Sequence, residues 1–334
     1  MQRNLSDTYQ IIGIIGSGGC GDVYKAYHKN LKKYVVLKKI RTGVRNLMNS
    51  RREADVLKNL RHSCIPQVLD FLEINGEVYT VMDFIPGNTF RQYLDAGNVF
   101  PEKSVIKWAK QICSTLCYMH GQKPAIIHGD LKPANIMLMP DGNICLIDFN
   151  ISAILDGSQA WVTGYTNGYA PPEQIEALNF NQRERDYRLW KKSDPRSDIY
   201  SLGATLYHLV SGYKPMRDQQ GRVRDIRETG ARINIVFASI IMKCLEPDPN
   251  RRYQTANELL DELTNIHQKD RRYKELAVKQ KVAYGVTVGC MLICAGIALT
   301  GYLRLGNDKL KSYNALVKQE RKYLAENDMD RLDS

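Results

Sequence analysis

The chain has 334 residues, 43% of them hydrophobic and 25% charged, and 47 Lys and Arg against 36 Asp and Glu give a net charge of +11. That length and composition exclude disorder and leave room for one large two-lobed domain plus something extra. The positive charge would suit an anionic membrane surface, acidic substrates or a solvated basic face, but no zinc-finger spacing or aromatic-rich RNA motif accompanies it, so no nucleic-acid partner is expected.

The eight cysteines, at 20, 64, 113, 117, 145, 244, 290 and 294, form no C-x-x-C pair and no disulfide framework, and read as reduced thiols. The N-terminus, MQRNLSDTYQ, is polar, and the apolar run after it is too short for a signal peptide. From Ile11 the chain reads IIGIIGSGGCGDVYKAY, a β-branched run, a turn through Gly16, Gly18, Gly19 and Gly21, then a strand-like run from Asp22 to Tyr27. Glycines at such a turn let backbone amides approach phosphate oxygens without interference from a Cβ. A dinucleotide fold would need a helix to open directly after the glycines, so the strand-like continuation excludes it.

Tyr34 to Ile40, YVVLKKI, is an apolar strand in which alternation sends Lys38 and Lys39 to opposite faces. Arg51 to Leu60 is a helix candidate carrying Glu53. Val78 to Ile85, followed by Pro86 and Gly87, is a last strand running into a hinge. Val105, Trp108, Ala109, Ile112, Leu116 and Met119 recur at three- and four-residue steps and predict a helix over 101–119.

The next stretch, HGDLKPANIMLMPDGNICLIDFN over 128–150, places Asp130, Lys132 and Asn135 on one short loop, then an apolar strand, then Asp148. Phosphoryl transfer needs a carboxylate to orient a hydroxyl and oxygen ligands to hold magnesium against phosphates, and this stretch supplies both. It resembles the protein-kinase catalytic loop H-R-D-L-x-x-x-N followed by D-F-G, with Gly129 in place of Arg and Asn150 in place of Gly. Other stretches follow in the family's order. Gly16, Gly18, Gly21 and Val23 match G-x-G-x-x-G-x-V, and Lys38 takes the place of the lysine in V-A-I-K. TNGYAPPEQ resembles the A-P-E element with Glu173 as its acid, and SDIYSLGATLYHLV from Ser197 resembles the central lower-lobe helix. The resemblance covers 9–266 and implies an α+β, two-lobed protein-kinase-like fold, with a small β-rich N-lobe over about 9–85 and a larger helical C-lobe over about 86–266.

It also implies a role for each matching residue. Asp130 would take the substrate hydroxyl proton, Lys132 would contact the γ-phosphate, and Lys38 would hold the other phosphates while paired with Glu53. Thr166 is expected to contact Asp130 and Lys132. Asn135 and Asp148 would hold Mg2+. ATP would lie under Gly16, Ser17, Gly18, Gly19, Gly21 and Val23, with Val36 narrowing the base pocket, Met82 gating its back, Met137 forming its floor and backbone groups of Asp83 and Ile85 binding the base. Glu173 would pair with Arg252 to close the lower lobe, and Asp198 would brace the catalytic-loop backbone.

Lys132 and Thr166 look like the serine/threonine branch, so the implied function is ATP-dependent phosphorylation of protein hydroxyls. Gly129 brings no guanidinium for a loop phosphate at Thr163 or Thr166 to pair with, so the loop is expected to be held by packing through Trp161, Tyr165 and Tyr169. Asn150 is, after glycine, among the most tolerant residues of left-handed geometry, so activity is expected to survive. Two other classes share part of the pattern. HGDL also occurs in small-molecule phosphotransferases of the aminoglycoside kinase type, against which the PPE element, the Asp198 helix and Lys132 weigh. Gly129 and Asn150 would suit a pseudokinase that only binds ATP, against which the full set of chemical residues weighs.

Glu173 and Asp198 are further apart than the family pattern, and the charged stretch 180–192 reads as a surface insertion. Helical patterning runs to about His267, followed by a basic linker, 267–281. Val282 to Leu303 then runs 22 residues without a charge, enough for roughly 30 Å of hydrocarbon, and predicts a single transmembrane helix. Six Lys or Arg in 269–281 against four in 304–318 favour the N-terminal side inside. Gly285 and Gly289 could support homodimerisation through this helix. The layout resembles bacterial membrane kinases: a single-pass protein of the cell membrane, kinase domain cytoplasmic, with a short polar tail, 304–334, outside.

Overall fold

The computed structural model describes residues 5–18, 21–40, 58–74, 77–123, 125–148, 165–183, 194–218, 222–266 and 271–332. Gly19, Cys20, Glu53, Asn150, Trp161, Thr163 and residues 184–192 of the charged stretch lie outside the described residues. The chain forms two compact units, Met1–Ile266 and His267–Ser334.

The first unit opens with strands β1 (Tyr9–Gly18), β2 (Gly21–His28), β3 (Lys33–Ile40), β4 (Val68–Ile74) and β5 (Glu77–Asp83), paired antiparallel in the order β1-β2-β3-β5-β4. Alternation along β3 decides what the sheet presents on each side. Val35 and Leu37 are fully buried and pack with Ala26, Val81, Tyr9 and Leu72 in a small core. Val36 and Lys38 point the other way; Val36 stands opposite Met82, and Lys38 opposite Val23 and Thr80.

The larger part of this unit is helical. A three-stranded sheet of β6 (Asn88–Thr89), β7 (Ile136–Leu138) and β8 (Ile144–Leu146) lies beside α1 (Phe90–Asp95) and α2 (Glu102–His120), the helix expected over 101–119. Then follow α3 (Pro172–Arg183), α4 (Pro195–Ser211), α5 (Ile235–Cys244) and α6 (Ala256–Thr264). Helix α4 starts where the Asp194 side chain accepts from Arg196 N with Pro195 at the first position, and it stops at Gly212 in the left-handed conformation. Every residue of α4 from Ser197 to Val210 is buried, which marks it as the helix the lobe is packed around. At Gly203 a Cβ would come within 2.5 Å of Cys244 Cβ, so only glycine lets α4 and α5 approach this closely.

The second unit is one helix, α7 (Arg271–Leu332), 62 residues long. It contains the apolar stretch expected over 282–303, and it is long and apolar enough over Val278–Tyr323 to cross a membrane. The polar residues after Leu303, expected as a short tail, continue the helix to Leu332. That segment carries good helix formers and no proline, so propensity sustains the helix where apolar periodicity fades.

Candidate active site

The loop between α2 and β7 carries Asp130, and the residue before it is held at both ends of its peptide unit. Gly129 N donates to Asp198 Oδ1 (2.9 Å), its carbonyl accepts from Gln174 Nε2 (2.8 Å), and its φ is +74°. His128 N donates to Asp198 Oδ2 (2.9 Å), and the Nε2 of His120, at the end of α2, lies 2.9 Å from the same oxygen. Burial alone would push the Asp198 carboxyl up; the His120 ring and the loop amides outweigh it and leave the carboxyl below its ordinary value. An ionised carboxylate on the central helix therefore fixes the loop backbone, as expected of Asp198. Burial also lowers the His128 ring below the usual imidazole value, despite the nearby Asp198 charge.

Three side chains converge on the Asp130 carboxylate. The Thr166 hydroxyl donates to Oδ1 at 2.6 Å, Lys132 Nζ donates to Oδ2 at 2.6 Å, and Asn135 Nδ2 reaches Oδ2 at 3.2 Å and the Asp130 carbonyl at 2.8 Å. Lys132 Nζ also donates to Thr166 Oγ1 at 2.8 Å, which closes a ring of charge-assisted bonds. The Asn135 carbonyl in turn accepts from Ile147 N (2.8 Å), tying the loop to the segment that delivers Asp148.

Asp148 adopts φ +58°, uncommon for a non-glycine residue and a form of local strain typical of functional positions. Its Oδ1 accepts from Lys38 Nζ at 2.5 Å, so the β3 lysine and the second loop meet across the cleft. The expected partner of Lys38, Glu53, lies outside the described residues. Around the glycine turn, Gly16 pairs with Val23, Ser17 with Asp22 and Gly18 with Gly21, and Ser17 Oγ donates to Asp22 Oδ1 at 2.7 Å. Val36 and Met82 face each other on β3 and β5, Met137 lies on β7 opposite Thr89 and Cys145, and Asp83 and Ile85 follow Met82 into the hinge.

The donor set suits magnesium. Asn135 spends its Nδ2 on Asp130, which leaves the amide oxygen as a donor, and Asp148 keeps its second carboxylate oxygen clear of Lys38. Hard oxygen donors, one or two from protein with phosphates completing the shell, are what Mg2+ prefers. Among the described residues no group of three or more His, Cys, Asp or Glu forms an all-protein cage.

Behind the site, Glu173 and Arg252 form a two-pronged ion pair at 2.7 and 2.8 Å, as expected, with the Arg252 side chain fully buried. Ser197 Oγ adds a bond to Glu173 at 3.0 Å, and Arg252 also donates to the carbonyls of Glu246, Pro247 and Arg196, so its charge is fully partnered. Two contacts near the site were not foreseen from sequence: Gln174 on Gly129, and the Tyr169 hydroxyl 2.7 Å from His208 Nδ1. No local spacing announces either, since each pair joins residues about 40 positions apart.

A family model described as the protein kinase domain matches residues 9–282 of this chain. The serine/threonine-protein kinase PrkC of Bacillus subtilis is 28% identical over 286 residues, covering 80% of this chain and 42% of that one. The serine/threonine-protein kinase PknB of Mycobacterium leprae is 30% identical over 286 residues, covering 79% of this chain and 44% of that one. This chain thus spans about two fifths of the length of the curated relatives it matches. Among solved structures, the PknI kinase domain of Mycobacterium tuberculosis superposes with a TM-score of 0.60 at 22% identity, covering 77% of this chain and 95% of that one, a likeness of fold.

Proposed function

From the premise that this chain belongs to the protein kinase domain family, we propose that it is a bacterial-type serine/threonine kinase that moves the γ-phosphoryl group of ATP to protein hydroxyls while anchored in a membrane by α7. One observation carries the reading. An aliphatic hydroxyl, that of Thr166, already sits on the Asp130 carboxylate with the Lys132 ammonium beside it, so the site accommodates an alcohol between a base and a cation.

In this reading Asp130 orients the acceptor hydroxyl and takes its proton, and Lys132 neutralises charge on the transferring group. Lys38 holds the remaining phosphates, with Glu53 as its further partner. Gly16, Ser17, Gly18, Gly19, Gly21 and Val23 cover them, and Val36, Met82, Asp83, Ile85 and Met137 enclose the base. Magnesium held by Asn135 and Asp148 would supply charge neutralisation as the phosphoryl group leaves. The catalytic loop is held by Asp198, Gln174 and Thr166, and Gly129 brings no guanidinium for a loop phosphate to pair with, which supports activity that does not depend on loop phosphorylation; phosphatase-treated enzyme should keep its rate.

The proposed organisation is a kinase domain over 9–266, a basic linker over 267–281, a membrane span over 282–303 and a polar segment over 304–334 that lies outside a cell membrane. The excess of Lys and Arg before the apolar stretch supports a cytoplasmic kinase domain, and Gly285 with Gly289 supports pairing of two copies through the span.

The test is transfer of radiolabel from ATP with a generic protein substrate and an aminoglycoside side by side, for the wild type and Asp130→Asn. Label should appear on Ser or Thr of the protein and fall more than about a hundredfold in Asp130→Asn. Label on the aminoglycoside, or ATP binding with no transfer, would overturn the reading in favour of a small-molecule phosphotransferase or a pseudokinase respectively.

A further inference from the structure

The segment that starts at Thr166 makes one tight turn. The Thr166 carbonyl accepts from Tyr169 N and Ala170 N, both at 3.1 Å, so residues 166–170 stay close to the Asp130 carboxylate on which the Thr166 hydroxyl rests. From below, the turn is held by buried groups. The Tyr169 hydroxyl lies 2.7 Å from His208 Nδ1, and the Arg217 guanidinium bonds the Ala170 carbonyl and the Tyr200 hydroxyl.

Above it lies the loop that follows α4. A Cβ on Gly168 would meet Lys214 Cδ at 3.6 Å, and Lys214 Nζ sits 5.8 Å from the centre of the Tyr169 ring. Lys214 is exposed between Tyr213 and Met216, which are 65% and 74% exposed. Lys214 therefore lies against the turn whose first residue, Thr166, rests its hydroxyl on Asp130.

No carboxylate among the described residues pairs with Lys214. Of the other nearby cations, Arg91 is bonded to Asp95 at 2.7 Å and Arg217 is turned onto the Ala170 carbonyl and the Tyr200 hydroxyl. His208 contributes no charge near neutral pH, because burial first, then the neighbouring Lys214 and Arg91 cations, hold its ring well below the usual imidazole value, at about 4. Lys214 thus presents an exposed ammonium against Gly168 and Tyr169, two and three residues after the Thr166 hydroxyl that rests on Asp130, and three extended residues of a peptide cover roughly 10 Å.

We infer that Lys214 is a specificity-determining residue, selecting protein substrates that carry an Asp or Glu within about three positions of the phosphoacceptor. The inference rests on the protein-kinase reading. Because Lys214 is exposed, the pair would form at the surface and the selection is modest.

The experiment uses the full chain in membranes with ATP and serine peptides that differ at one position, carrying Glu, Ala or Lys at each place from three before to three after the serine. In the wild type one or more Glu peptides should exceed the Ala peptide about fivefold in kcat/KM, and Lys the reverse. The Glu-to-Ala ratio should fall to about one in Lys214→Ala, invert in Lys214→Glu, persist in Lys214→Arg, and shrink in high salt. Peptides that are phosphorylated with no acidic preference, or with a preference that survives Lys214→Ala, would overturn this inference and leave the kinase reading intact. No label on any peptide or on a generic protein substrate would instead overturn both. Because the readout is a ratio within each variant, a change in folded fraction does not move it.

Discussion

At Gly129 the backbone holds φ +74°, and a Cβ there would find nothing within 4 Å, so conformation and not space selects the residue. Its peptide unit is gripped from two helices, by Asp198 of α4 and Gln174 of α3, one residue before the candidate base. Removing the Gln174 donor leaves the Gly129 carbonyl to find another partner and frees the loop to rotate at the one position where rotation is easiest. Gln174→Met keeps the length and bulk of the side chain without its amide. Its kcat should drop about tenfold, near 1.4 kcal/mol of barrier, while KM for ATP stays within about twofold, because the nucleotide contacts proposed above lie elsewhere. Equal kcat values in steady-state kinetics of the two folded proteins would show that Asp198 alone positions the loop.

The elements differ in how far they could be read in advance. Helix α2 and strand β3 follow from apolar spacing, because each keeps one face in a core, whereas β4 (Val68–Ile74) was not read from the sequence and the isoleucines of β1 that suggested a strand are exposed. The β1–β2 turn was legible from its glycines, and Glu173 with Arg252 from the order of motifs. The Tyr169–His208 contact and the placement of Lys214 on Gly168 were not legible. Each depends on how α4 and its following loop dock onto the turn from 166 to 170, and periodicity reports which face of a helix is buried without naming what it meets. The α4–α5 crossing was equally hidden, since Gly203 looks like any glycine in a helix until Cys244 is placed opposite it. There Gly203→Ala must push the two helices apart, at a cost of about 1 to 3 kcal/mol. Thermal unfolding should show a clearly lowered midpoint for Gly203→Ala and almost no change for Gly306→Ala, whose Cβ would meet nothing within 4 Å. Similar midpoints for both would mean that α5 yields without cost.

For the whole molecule, the proposed chemistry falls in one compact unit, Met1–Ile266, and the proposed membrane span in the other, His267–Ser334. Every residue proposed for catalysis precedes residue 267, so a deletion of 282–334 should leave a soluble protein that still transfers phosphate. Carbonate extraction of membranes is the check, and a truncated protein that stayed with the pellet would mean that another surface holds the membrane. Helix α7 itself has a mechanical consequence. Its 62 residues without a proline extend roughly 93 Å, about three times the thickness of a bilayer's hydrocarbon core. A continuous helix fixes the rotational phase between any two of its residues, about 100° for each step along the chain. With its apolar middle in a bilayer, as proposed, adding or removing one residue between the span and either end of the helix would turn that end's faces relative to the span by the same angle.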